Sequence, residues 1–281
     1  MRFKRVAIIG VGLIGGSLGM AIKSRRLAEV ITGLTRHRST LISAKRHNAL
    51  DQSTLDLRKA VKDADLVIIA TPISRIVKIA KDIAPDLKPG CIVTDVGSVK
   101  GLIVREIEKM PRIRRKEIYF VGGHPMAGSE KTGVSFAKRD LFKNTVCFLT
   151  STPQTDQRAL NKVKNLWGKI GATVEVVSPQ KHDRIVAYIS HLPHLLAYNL
   201  LIVTPPQYYR YAAGSFLDMT RIVSSDPQLW QDVCRMNSGE IDRLLREHNI
   251  SLSQIKGLVA SGRFKKLLNL FARAKSRRDA Q

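Results

Sequence analysis

Residues 5–24 read RVAIIGVGLIGGSLGMAIKS, and this stretch decides the fold. Arg5–Ile9 is a short apolar run of the kind that forms a buried strand. A glycine turn follows, and Ile14–Ser24 has the composition of a helix. Gly10-Val11-Gly12-Leu13-Ile14-Gly15 is therefore a G-x-G-x-x-G string set between a strand and a helix. There Gly10 permits a tight turn, Gly12 lets backbone approach a pyrophosphate, and Gly15 allows the helix to pack closely on the strand. The free N–H groups and positive dipole end of the helix favour the anion. Gly10, Gly12, Leu13, Ile14 and Gly15 are accordingly the expected cofactor-binding residues. The same region mimics a secretory signal, with basic Met1–Arg5 before the mostly apolar Val6–Ala21. Five glycines, however, interrupt it at helix-breaking density.

Working outward, the pattern alternates. Strands are expected at Val30–Leu34, Leu66–Ala70, Cys91–Asp95, Tyr119–Gly122, Thr145–Thr150 and Thr173–Val177. Helices are expected at Ser39–His47, Ile73–Ile83, Lys100–Glu108 and Asp156–Ile170. Continuous apolar strands alternating with helices imply a parallel sheet covered on both faces. After Ser178 the strand signal stops. Lys181–Leu201 is apolar at helical spacing apart from Pro193, and Gln228–Glu247 and Leu252–Arg277 read as further helices. The expectation is an α/β domain over 1–177 and an all-α domain over 178–281.

The chain has 281 residues, 44% of them hydrophobic and 25% charged, which excludes a disordered chain. No uninterrupted apolar run reaches the roughly 18 residues of a spanning helix, so no membrane role is expected. Cys91, Cys147 and Cys234 are odd in number and far apart, which excludes a disulfide framework or paired-cysteine metal site and suits the cytoplasm. The net charge of +24 raises the question of an anionic partner. The charge is spread, and no stacking motif or Cys/His finger accompanies it, so a solvated basic surface is expected rather than nucleic-acid binding.

In an NAD site an acidic residue at the end of the second strand holds the ribose hydroxyl. Here that strand runs into Thr35-Arg36-His37-Arg38, with no carboxylate. Arg36 and Arg38 suit a 2′-phosphate, which favours NADP; the alternative is that they are solvated and NAD binds without the carboxylate. Thr71 and Pro72, closing the Leu66–Ala70 strand, join the expected cofactor site.

Tyr119–Lys131 reads YFVGGHPMAGSEK. It carries a strand into paired glycines and then His124, at the sheet edge where ligands bind in such folds. A near-neutral pKa suits His124 to proton transfer, and the small residues around it leave room for a ligand. The string GGHPMAGSEK closely resembles the prephenate/arogenate dehydrogenase family of tyrosine biosynthesis. DVGSVK (residues 95–100), SHLPH (residues 190–194), and Asp218-Met219-Thr220-Arg221-Ile222 with Ser225-Asp226-Pro227 are similar to further motifs of that family, in order.

The resemblance implies a Rossmann-like doubly wound parallel sheet joined to a helical domain that dimerises, with Lys181–Leu201 as the natural partner helix. It implies oxidative decarboxylation of prephenate to 4-hydroxyphenylpyruvate, with hydride passing to NAD(P)⁺. His124 then accepts the proton of the ring hydroxyl, and Ser98 orients it. Arg221 holds a substrate carboxylate, His194 contributes to the substrate side-chain site, His191 is structural, and Glu130 helps to organise the site. His191 and His194 share a helix face, yet no third ligand supports a metal. The second histidine favours prephenate over arogenate, the closest alternative. Leu217 stands where relatives carry a basic residue, which opens the substrate-side contacts to question. No chorismate mutase or regulatory domain is recognised, so a monofunctional enzyme is expected. A hydroxyacid dehydrogenase or imine reductase does not explain GGHPMAG with SHLPH, and a dinucleotide-sensing, nucleic-acid-binding regulator would not need His124.

Overall fold

A computed structural model describes residues 2–129 and 131–280. Six parallel strands form the first sheet: β1 (Phe3–Ile9), β2 (Ala28–Leu34), β3 (Gln52–Thr54), β4 (Leu66–Ile69), β5 (Ile92–Asp95) and β6 (Tyr119–Val121). Their order is β3-β2-β1-β4-β5-β6. The helices between them are α1 (Leu13–Ser24), α2 (Arg38–Arg46), α3 (Leu57–Val61), α4 (Ile73–Ile83), α5 (Gly101–Glu108) and α6 (Pro111–Arg114). β1 pairs with β2 on one side and β4 on the other, so the strand order reverses beside β1. Such a reversal opens a crevice at the carboxyl ends of the strands. All four residues of β4 are buried, as expected of a central strand covered on both faces.

The later strands do not extend this sheet. β7 (Gly123–Pro125), β8 (Val146–Thr150) and β9 (Thr173–Val177) form a second sheet, with β7 antiparallel to β8, and α7 (Gln157–Lys169) connects β8 to β9. The chain changes sheets at Gly122. A Cβ there would stand 2.5 Å from Thr150 Oγ1, and one at Gly123 would stand 2.7 Å from the Asp95 carbonyl oxygen. These glycines thus admit neighbouring protein atoms, which corrects the expectation that their small size leaves room for a ligand.

Helices follow: α8 (Pro179–Val186), α9 (Leu192–Val203), α10 (Gly214–Thr220), α11 (Pro227–Met236), α12 (Ser238–Ala260) and α13 (Phe264–Asp279). A π-helical turn at Ala187–His191 joins α8 to α9. It adapts the helix to Pro193, which lacks an N–H and would crowd a regular preceding turn. The expected helix Gln228–Glu247 is divided at Asn237, and Leu252–Arg277 is divided before Phe264, where Gly262 has φ +64°. Element type changes from strand to helix after Val177, whereas the compact units divide later: one ends at Asn237 and the other begins at Ser238. Pro179–Val203 is long and apolar enough to cross a membrane by length and composition, although no single apolar run in it is unbroken.

Candidate active site

A cavity of about 510 Å³ lies at the carboxyl ends of β1, β2 and β4. Gly10 and Gly12 line it. Gly10 adopts φ +95°, and a Cβ on it would stand 2.5 Å from the Ala70 carbonyl oxygen, so the turn requires glycine. Gly12 caps α1, and a Cβ there would meet nothing within 4 Å, which leaves its backbone open to a ligand. A Cβ on Gly15 would collide with the Gly10 carbonyl, so Gly15 serves the close packing of α1 on the turn. Leu13 opens α1, and Ile14 packs on the core rather than lining the cavity. Thr71 and Pro72 stand in the opposite wall. The buried Thr71 Oγ1 has no hydrogen-bond partner among the described residues.

Arg36, His37 and Thr40 close one side, and Arg75 of α4 faces the same space. Among the described residues, no carboxylate lines the cavity. Arg38 is the first residue of α2, exposed and outside the wall. Arg75 escaped the sequence reading, since nothing local marks a cation two residues into a helix as a cavity residue. An open glycine turn at a helix N-terminus, an orphaned hydroxyl and unopposed cations together fit an anionic dinucleotide.

The second cluster gathers around His124, which sits in β7 directly across from Phe148 of β8. Its Nδ1 lies 2.9 Å from His182 Nε2, and His182 Nδ1 lies 2.8 Å from Asp183 Oδ1. An ionised carboxylate only accepts, so His182 Nδ1–H donates to Asp183 and its Nε2 accepts from His124 Nδ1–H. His124 is left with a basic Nε2. Burial is the largest cause holding the His124 pKa well below the usual imidazole range; His182, then Lys100, then His191 add to it. His182 is also lowered by burial, against the pull of Asp183.

Asp183 also caps α5, accepting the backbone N–H groups of Lys100 and Gly101 at 2.7 Å each. Ser98 stands in the loop between β5 and α5, and its buried Oγ has no partner among the described residues. That orphan oxygen fits a bound ligand rather than a structural role.

Asn237 Nδ2 donates to the Asp183 carbonyl (2.9 Å) and to His191 Nδ1 (3.1 Å). His191 is buried, edge-on to Trp230, with its pKa pushed down to about 4, chiefly by burial. His194 stacks on the same Trp230 at 3.7 Å, with Nδ1 2.9 Å from the Ser190 carbonyl. Trp230 thus organises both histidines of the SHLPH motif. Arg221 is exposed on the wall of another cavity of about 510 Å³, beside Leu217 and Asp218. None of the residues lining that cavity belongs to the His124 network. Glu130 lies outside the described residues. His182, Asp183 and Asn237 were missed; the available signal was a His-Asp pair opening a helix just after the last strand.

The fold and these two clusters define a Rossmann-type nucleotide-binding protein with a second, histidine-centred polar cluster. The sequence profile of the prephenate dehydrogenase nucleotide-binding domain matches residues 18–176, and that of the prephenate dehydrogenase dimerization domain matches residues 178–273. The chain belongs to the prephenate dehydrogenase family. It is 34% identical to the prephenate dehydrogenase of Bacillus subtilis, covering 98% of this chain and 75% of that one. Its structure is similar to that of Aquifex aeolicus prephenate dehydrogenase in complex with hydroxyphenyl propionate and NAD⁺. That match has a TM-score of 0.91 and 31% identity, covering 99% of this chain and 98% of the other. Synechocystis arogenate dehydrogenase matches with a TM-score of 0.84 and 28% identity, over 98% and 99% of the two chains.

Proposed function

We propose that this chain converts prephenate to 4-hydroxyphenylpyruvate and CO₂, with a nicotinamide dinucleotide in the glycine-turn cavity. The observation that carries the reading is the His124–His182–Asp183 relay, which leaves a neutral imidazole with its basic nitrogen free. When bound, the nicotinamide ring takes up the hydride from the carbinol carbon of the substrate. As that hydride departs, His124 accepts the hydroxyl proton. The electron pair of the breaking ring–carboxylate bond then enters the ring, which becomes aromatic, and the oxygen regains its proton. His124 therefore borrows this proton and returns it, so that none is consumed overall. Ser98, whose buried Oγ has no partner among the described residues, hydrogen-bonds near this hydroxyl and orients His124. Arg221 binds a substrate carboxylate, His194 contributes to the side-chain site, and Glu130 helps to organise it.

The finer cofactor reading is NADP over NAD. Support comes from a cavity lined by Arg36 and Arg75 and, among the described residues, by no carboxylate, since a 2′-phosphate suits guanidinium partners. Arg36 lines this cavity and Arg38 does not, so the reading assigns the 2′-phosphate to Arg36.

The helical segment 178–281 is read as a substrate and dimerisation domain. The matched profile is that of a dimerization domain, and Ile189 and Ile202 of the Pro179–Val203 helix are 58% and 79% exposed. A second copy of the chain covers such a face at a favourable free energy of about 25 cal/mol per Å². Three free cysteines fit a cytoplasmic setting. One experiment tests the function: purified protein with prephenate or arogenate, each with NAD⁺ or NADP⁺, after sedimentation has fixed its oligomeric state. Turnover of neither substrate overturns it, and faster turnover of arogenate assigns the chain to the alternative substrate.

A further inference from the structure

Lys100 is among the largest fully buried side chains of the protein. It sits at the N-cap of α5 without a capping hydrogen bond from its side chain. Both features are unfavourable. A lysine is almost never fully buried, and a positive charge opposes the positive end of a helix dipole. Replacing a buried ion pair by apolar side chains of similar volume is often neutral or stabilising. Packing alone therefore gives no reason for an ammonium at this place.

Its partner supplies one. The Lys100 ammonium pairs with Asp95, and neither side chain reaches solvent. Asp95 Oδ2 also accepts the Gly97 N–H at 2.9 Å, and Oδ1 accepts the Gly123 N–H at 3.2 Å. Gly97 immediately precedes Ser98, and Gly123 immediately precedes His124. One carboxylate thus ties together the two segments that carry the reacting groups. The lysine side chain runs beside the sheet-switching glycine, its Cδ 3.3 Å from where a Gly122 Cβ would stand. The Lys100 backbone N–H, meanwhile, goes to Asp183, the far end of the histidine relay.

We propose that Lys100 is a positioning residue for the reaction: its buried pair with Asp95 locks the Ser98 loop against the His124 strand. Its side chain also faces the His124–His182 pair. The groups facing that pair include Asp183, which favours a proton, and His191, which disfavours one. Asp95 favours a proton on His182, and Cys147 of β8 lies in the strand beside β7. Lys100 itself faces Asp95, Asp183 and Cys147. The chemistry explains the value of such a tie. A base that takes a proton and then returns it must stay within hydrogen-bond reach of the reacting oxygen, and the Asp95 contacts to Gly97 and Gly123 hold the two segments in register. This inference rests on His124 being the base.

The test uses the full chain with prephenate and dinucleotide across about pH 5 to 9, comparing the native protein with Lys100→Met and with Lys100→Met/Asp95→Asn. The double variant removes both charges and so leaves no uncompensated buried carboxylate. Loss of a cation beside a base raises the pKa of that base. The acid limb of kcat/KM is therefore expected to move up in Lys100→Met, which loses the cation alone, and less in the double variant, which also loses Asp95, with kcat lowered in both and dinucleotide binding by fluorescence unchanged. Histidine-ring NMR of the native protein is expected to show His124 titrating below the ordinary imidazole range. A folded double variant with the native pH profile and kcat overturns the proposal, and so does a native His124 that titrates near 6.5. His124→Ala separates the two levels: if that variant keeps native kcat, the base assignment itself fails. If it is inactive while the double variant behaves as native, only the role of Lys100 is lost.

Discussion

The cavity at the ends of β1, β2 and β4 and the cluster around His124 are built on opposite principles. The first is an open surface of loop backbone and exposed cations, with Gly12 facing empty space and Arg36 and Arg75 on its rim. Nearly everything it needs is local: one turn, one helix N-terminus and one strand end. The second is a sealed network in which Asp95, Lys100, His124, His182, Asp183, His191 and Asn237 bond to one another across distant parts of the chain. An open site holds its ligand by displacing water at a prepared surface. A sealed one sets protonation states, because burial makes each neighbouring charge count for more. The two regions thus differ in burial and polarity as the proposed tasks of binding and proton transfer require.

The comparison is most sharply tested at His124. His124→Ala is expected to lower kcat by about 10² to 10⁴ while dinucleotide affinity stays native. Stopped-flow turnover with fluorescence titration measures both, and a parallel loss of cofactor affinity would merge the two regions into one. Arg221→Ala comes next. It should raise KM for prephenate by about 30- to 1000-fold, the cost of a lost charge pair in a desolvated complex, with kcat less affected. An unchanged KM alongside lower thermal stability would make Arg221 structural.

Smaller effects belong to the open cavity. The native enzyme is expected to use NADP⁺ over NAD⁺ by roughly 10- to 100-fold in kcat/KM. Arg36→Ala should remove most of that ratio and Arg38→Ala little, by steady-state kinetics with both cofactors. Equal use of the two cofactors by the native protein would reduce both arginines to surface charge.

The smallest effect near neutrality is on stability. His191 is held neutral, its pKa falling to about 4 on folding. The unfolded chain, with an imidazole near 6.5, therefore binds the proton first as pH drops. Stability from this group is complete above about pH 6.5 and fades as pH falls towards 4. Between pH 7 and 6 the loss is about 0.7 kcal/mol. Denaturant unfolding at both pH values measures it, and His191→Asn should flatten the dependence.

The glycine turn, the strand–helix alternation, and the roles expected of Gly10 and Gly12 were legible because each depends on residues within one turn of the chain. The later strands were also legible as strands, but their second sheet was not. Nothing local says that a backbone passing Thr150 and Asp95 must change sheets at Gly122. Division of the expected Gln228–Glu247 helix has a similar origin. Asn237 spends its side chain on Asp183 and His191, more than 40 positions away in sequence. DVGSVK was noticed for Ser98 alone, although its first and last residues form the buried pair.

Periodicity and short motifs carry what neighbouring residues decide: turn geometry, helix caps, apolar faces and the chemical type of a side chain. His124 was thus visible as a titratable group at a sheet edge. Its tautomer, its lowered pKa and the cation beneath it were not. Those follow from desolvation and from His182 on α8, Lys100 at the N-cap of α5 and His191 in the π-helical turn, and such contacts exist only once the chain has closed upon itself.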